Sequence, residues 1–356
     1  MRPSLWVLLA LGGAACGSGS GVDSFGSSPA ASGSDCLIPS SQLVSGGPGR
    51  DGIPALNRPR AVGAASGDQF LSPDALVLGV RIGGQARAYP HNVLWWHEIV
   101  NDDLGGRPIT VSYCPLTGSG MAYDPAIGGR VLDFGVSGLL FDNNLVLFDR
   151  GTESLWSQMR VQAVCGPLIR TAPALLPVVQ STWASWKALH PETTVVSFDT
   201  GFRRNYNQYP YGTYDQIGDT SLLFPQSFVD PRRPMKELVL GISQAGTARA
   251  YPYGALGERS AVNDVVGTRA VLVLFDRRAQ MAIAFDRDVS GQRLSFEVVG
   301  PAAFPFRFRD RETGLLWDLG GAAVAGPLAG TGLNQVATYS AMCWASFNRG
   351  TELYLP

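Results

Sequence analysis

The stretch Leu76-Val-Leu-Gly-Val-Arg-Ile-Gly-Gly-Gln-Ala-Arg-Ala-Tyr-Pro90 returns 162 residues later as Leu238-Val-Leu-Gly-Ile-Ser-Gln-Ala-Gly-Thr-Ala-Arg-Ala-Tyr-Pro252. Each copy reads as two short apolar strands joined by a glycine-containing turn, the signature of a β-hairpin. The likeness extends outward at the same spacing. Val100-Asn-Asp102 returns as Val262-Asn-Asp264, and 19 of the 49 positions from Leu76 to Asp124 are identical in their counterparts. That is several times chance and marks an internal duplication. Further on, Asp149-Arg150 with Leu155-Trp156 returns as Asp310-Arg311 with Leu316-Trp317, and the Trp186 region ending at Thr193 returns around Trp344 and Thr351.

These patterns predict a mainly β (α+β) protein. It consists of two tandem, internally duplicated β-rich units with short helices, packed around a pseudo-twofold axis. Unit one is placed at residues 51–200 and unit two at 236–356. Helices are expected at 181–190, stopped by Pro191, and at 91–100. Between the units runs a connector, 201–235, rich in Tyr, Pro and Arg. It is long for a structureless loop and is expected to pack on the body or line a site, with its tyrosines mainly as packing residues. Asn101 and Asp102, kept in both copies, read as turn or cap residues.

Composition narrows the function. A net charge of −1 argues against nucleic-acid binding, which calls for a basic excess. A charged fraction of 16% is too low for a solvated disordered chain. Residues 1–16 read as an export signal: Arg2, a short apolar run from Leu5 to Leu11, then small residues before Cys16. The placement of Cys16 predicts a lipobox, with lipidation of Cys16 anchoring the protein in a membrane and facing the periplasm or cell exterior. Residues 17–50 begin with an almost pure Gly, Ser and Ala run and read as a tether.

Comparing the copies separates scaffold from chemistry. Polar residues found only in unit one are the site candidates: His97 (matching Arg259), Glu98 (Ser260), Tyr113 (Phe275), Cys114 (Asp276), Thr117 (Ala279) and Ser119 (Met281). Cys114 closes a strand before a turn, where scaffolds often hold reactive groups. It is expected to act as thiolate ligand or nucleophile, with His97 as ligand or base and Glu98 as orienter or acid. Tyr113, Thr117, Ser137, Asn143, Asn144 and Trp156 complete the expected pocket. A Cys and a His suit Cu or Zn, although no metal-ligand spacing is present. The competing readings are a buried thiol or half of a disulfide for Cys114, and a structural role for His97. With Cys16 lipidated, Cys36, Cys114, Cys165 and Cys343 allow three full pairings.

The segments 86–90, His97-Glu-Ile-Val-Asn-Asp102, Tyr113-Cys-Pro-Leu-Thr-Gly118, Phe134-Gly-Val-Ser-Gly138, Asp142-Asn-Asn-Leu145, Ser154-Leu-Trp156 and His190-Pro-Glu-Thr193 resemble, in order, a bacterial family known as domain of unknown function 3179. The resemblance covers essentially everything after the tether and implies no assigned activity. Some members look as if they carry a second cysteine at the position of Thr117. Its absence here makes a thioredoxin-like exchange less expected. The leading expectation is an exported lipoprotein with a thiol or metal site, redox or binding, in unit one. Unit two keeps only a degenerate version of that site. A non-catalytic envelope binding or scaffold protein is the alternative, and a hydrolase with a cysteine nucleophile comes third.

Overall fold

A computed structural model describes residues 36–300, 303–324 and 330–356. The segments expected to be the export signal, the lipidated Cys16 and the tether up to residue 35 lie outside the described residues. The protein is mostly β, with 41% strand and 9% helix. The hairpin of unit one forms as expected: Leu76–Ile82 pairs antiparallel with Gln85–Pro90. Gly83 and Gly84 turn it with φ of 56° and 80°, a left-handed region that glycine enters without steric cost. Val179–Thr182 adds antiparallel on one side and Thr194–Val196 parallel on the other. Unit two repeats that order. Val239–Gln244 and Thr247–Pro252 form the hairpin, flanked by Tyr339–Ala341 antiparallel and Glu352–Leu353 parallel. A second sheet repeats as well, with Ile99–Leu104, Arg107–Cys114 and Ser119–Tyr123 answered by Arg259–Val266, Arg269–Asp276 and Met281–Asp286.

The shared residues explain themselves in the packing. Arg87 Nη1 and Tyr89 Oη both donate to Asp102 Oδ2, at 2.6 and 2.9 Å, and Arg249 and Tyr251 do the same to Asp264. The expectation of turn or cap roles for Asn101 and Asp102 is therefore corrected: both lie inside a strand. Asn101 clamps the backbone of Phe134, donating to its carbonyl at 2.8 Å and accepting from its N–H at 3.2 Å. Asn263 treats Phe296 identically. A side-chain amide can pair with one backbone unit of a neighbouring sheet, so these residues rivet two sheets together.

Gly79 and Gly241 meet Trp186 and Trp344. A Cβ built at either would lie 2.3 or 2.1 Å from the indole, inside any allowed contact. Gly79→Ala is expected to lower stability by about 1–3 kcal/mol through overpacking, read as a shifted denaturant midpoint at unchanged m-value.

The two copies share one core, a single buried cluster that includes Val77, Trp183 and Trp186 of unit one and Leu274, Phe285 and Trp317 of unit two. Backbone bonds cross between them reciprocally. Thr182 N–H donates to the Ala279 carbonyl at 2.9 Å, and Met342 N–H donates to the Thr117 carbonyl at 2.7 Å. Thr117 and Ala279 are counterparts in the sequence, so each copy contributes the same backbone contact to the other.

Residues counted with the tether belong to the body from Cys36 onward. Cys36 is disulfide-bonded to Cys165, and Val44–Ser45 pairs with Leu139 and Leu140. Glycine content masked this, because Gly46 and Gly47 turn the chain along a sheet edge. Among the described residues no helix is long and apolar enough to cross a membrane.

Candidate functional site

Unit one departs from unit two where the hairpin leads into the second sheet. In unit two a short turn, Tyr253–Ala255, leads to a strand that starts at Arg259. Arg259 there reaches across the ladder to Asp276, at 2.7 Å. Their counterparts are His97 and Cys114. In unit one a longer helix, His91–His97, occupies this stretch, and the strand starts only at Ile99. Glu98 is the joint, with φ 56° and ψ −32°, a strained conformation for a non-glycine residue.

The longer helix gives His97 different partners. Its Nδ1 donates to the Pro54 carbonyl at 2.8 Å, and Nε2 accepts from the Tyr206 hydroxyl at 2.7 Å. Burial holds its pKa below the ordinary imidazole value, so the ring is neutral and both nitrogens are used. No lone pair is left for a metal or for the Cys114 proton. Tyr206 comes from the connector, 109 positions away, and local sequence gave no sign of it.

Cys114 is a free thiol, buried among Ile99, Leu116, Leu145 and Tyr214. Burial first, and the neighbouring Glu98 second, push its pKa up to about 11. It is a neutral thiol at pH 7 and a poor nucleophile in this state. Among the described residues no three His, Cys, Asp or Glu side chains converge as metal ligands.

Glu98 is the unusual group. It is 6% exposed, and its carboxyl makes no hydrogen bond or ion pair among the described residues. Burial alone pushes its pKa up to about 8. It faces a cavity of about 410 Å³ whose other walls are almost wholly apolar, including Leu116, Leu140, Tyr211 and Phe224. The connector contributes Pro210 to Gly212 and Leu223-Phe224, so it packs on the body and lines this cavity. Gly46 and Pro48, assigned to the tether by composition, also line this cavity.

The remaining expected pocket residues separate. Thr117 and Asn144 join a buried polar network. Gln158 Oε1 accepts from Ser119 Oγ at 2.6 Å and from Asn144 Nδ2 at 2.7 Å, and its Nε2 donates to Ser112 Oγ at 2.9 Å. Asn144 also donates to Thr117 at 2.9 Å. Asn143 donates to the connector's Tyr214 hydroxyl at 2.9 Å. Ser137 donates to the Val146 carbonyl at a β-bulge between Val136 and Leu139. Trp156 donates to Asp149, a contact that Trp317 and Asp310 repeat, and is scaffold. Tyr113 lines a different cleft, between the units.

A family model described as a protein of unknown function (DUF3179) matches residues 50–351. No curated protein and no solved structure matches the chain.

Proposed function

The chain belongs to the DUF3179 family of proteins of unknown function, and from that premise we propose that unit one is a binding module for a largely apolar small molecule with one polar group that meets Glu98. The observation that carries this reading is an unpaired, buried carboxyl on the wall of a 410 Å³ apolar cavity. Such a group is costly to bury, and the strained backbone beneath it adds to the cost. A pocket with few polar groups and a perturbed acid is the usual form of a ligand site. At pH 7 a carboxyl with a pKa of about 8 is mostly protonated, able to donate to a carbonyl or to accept from a hydroxyl.

The Cys36–Cys165 disulfide supports export to an oxidising compartment, in keeping with the N-terminal signal and with a lipid anchor on Cys16. Thiolate, metal-bound or nucleophilic chemistry at Cys114 has less support, because the thiol is neutral and His97 is engaged elsewhere.

The test is fluorescence titration with N-phenyl-1-naphthylamine, an apolar reporter dye. The wild type is expected to bind it saturably. Leu139→Trp, which fills the cavity from a half-buried wall position, is expected to weaken binding at least tenfold at an unchanged fold by circular dichroism. Equal binding by both proteins would place the dye elsewhere and sink the proposal.

A further inference from the structure

A second cleft, of about 460 Å³, lies between the two units and takes walls from both. The duplication places counterpart residues around it: Leu76 and Leu238, His91 and Tyr253, Gly118 and Gln280. On the unit-two side the polar groups satisfy each other, with the Tyr253 hydroxyl and Ser340 Oγ 2.7 Å apart. The counterparts of that pair on the unit-one side are His91 and Gln180. Gln180 faces Leu78 in the sheet as Ser340 faces Leu240.

These two do not satisfy each other. His91 is 2% and Gln180 5% exposed, and both His91 Nε2 and Gln180 Nε2 are buried with no hydrogen-bond partner. Two orphaned side-chain nitrogens on one cleft are uncommon, since buried polar atoms are nearly always paired. Gln180 Nε2 can only donate, so it calls for an acceptor oxygen. Neutral His91 can donate or accept at Nε2.

The cations of the rim are already paired, which argues against an anionic partner, and the rim carboxylate Asp215 lies in the field of Lys236, which disfavours a cationic one. Lys236 is held by the Tyr214 carbonyl at 2.6 Å and by Asp219 at 3.4 Å. Glu237 is paired with Arg233, and Arg277 with Glu258. An anion would find its cations already matched, and burying it uncompensated is costly. Trp95, Tyr113 and Tyr253 add aromatic surface to the same walls. Aromatic faces beside planar polar side chains suit a molecule with apolar C–H faces and several hydroxyls.

We infer that the cleft between the units is a second binding site, which takes an uncharged polyhydroxylated molecule of the monosaccharide class through Gln180 and His91. The ligand supplies to unit one the partners that Tyr253 and Ser340 give each other in unit two.

The experiment is isothermal titration calorimetry of the mature protein with D-glucose, D-galactose and N-acetyl-D-glucosamine, up to the millimolar range. At least one sugar is expected to bind saturably. Gln180→Leu is expected to weaken that binding about tenfold, the worth of one buried hydrogen bond. Its thermal midpoint should stay level or rise, because an orphaned donor has been removed. Ser340→Ala, which breaks the unit-two pair at a residue that does not line the cleft, should bind within about twofold of wild type. Binding of the naphthylamine dye should not change in Gln180→Leu, which keeps this site distinct from the Glu98 cavity. No saturable heat with any of the three sugars, or equal sugar affinity in wild type and Gln180→Leu, overturns the inference.

Discussion

Gln158→Leu is expected to lower the stability of the protein by about 3 kcal/mol or more, even though leucine is the residue at the corresponding position of unit two. That counterpart is Leu319, seven-residue Asp–Trp spacing in each copy fixing the match. In unit two the surroundings of Leu319 are apolar: Leu274, Ala279, Met281 and Phe285 all belong to the shared core. In unit one those positions are Ser112, Thr117, Ser119 and Tyr123, all buried, and Gln158 bonds to two of them. Leucine at 158 would leave Ser112, Ser119 and Asn144 short of partners in a dry interior. Each orphaned group costs about 1–3 kcal/mol. The same substitution placed in a unit-one interior already carrying Ser112→Leu, Thr117→Ala and Ser119→Met should cost less than the sum of the parts. Residues of one network are coupled, and replacing Gln158 together with these three hydroxyl residues leaves only the Asn144 amide without its partners. Chemical denaturation of the single, triple and quadruple variants measures that coupling. Additive losses would mean that Gln158 acts alone and that the network is not a unit.

The comparison shows what a sequence with an internal repeat can and cannot give. The hairpins, and the fact that shared residues serve the fold, were legible because both copies carry them: Gly79 with Trp186 and Gly241 with Trp344 is one contact encoded twice. Positions that differ between copies pointed to Glu98, Cys114 and Thr117. What they could not give is partnership across long sequence separations. His97 and Cys114 stand together in the sequence only as polar residues confined to unit one, whereas their counterparts, Arg259 and Asp276, pair in the structure. One additional helical turn before Glu98 takes that ladder position away, and Tyr206 of the connector claims the ring instead. His91 escaped notice for a related reason. Its counterpart is a tyrosine, a bland difference until the structure shows one pair satisfied and the other not. The cavity over Glu98 takes its other walls from residues 46–53, 116, 136–145 and 210–224, stretches far apart in the sequence that no local pattern brings together.

Glu98 carries the other large expected effect, a pH dependence of stability that one substitution should erase. In the unfolded chain its carboxyl titrates near the ordinary value of 4.5, and in the folded protein near 8. Below the first value both states hold the proton and the group contributes no slope. Between them the unfolded chain gives up the proton while the folded protein keeps it, so stability falls as pH rises. The fall approaches about 1.4 kcal/mol per pH unit and ends above the folded value, where both states are ionised. Glu98→Gln keeps the shape and the hydrogen-bonding capacity but does not titrate. The wild type and the variant should be similar near pH 4, and the variant should be the more stable by about 3–5 kcal/mol at pH 8 and above. Urea midpoints across that range measure the difference directly. The dye in the cavity reports the same proton. Its affinity should drop as pH passes 8 in the wild type, where a carboxylate would have to be covered by an apolar ring, and stay level in Glu98→Gln. Parallel stability curves for the two proteins would show that the carboxyl already has a partner in solution. The cavity would then lose the unpaired group on which its assignment as a ligand site rests.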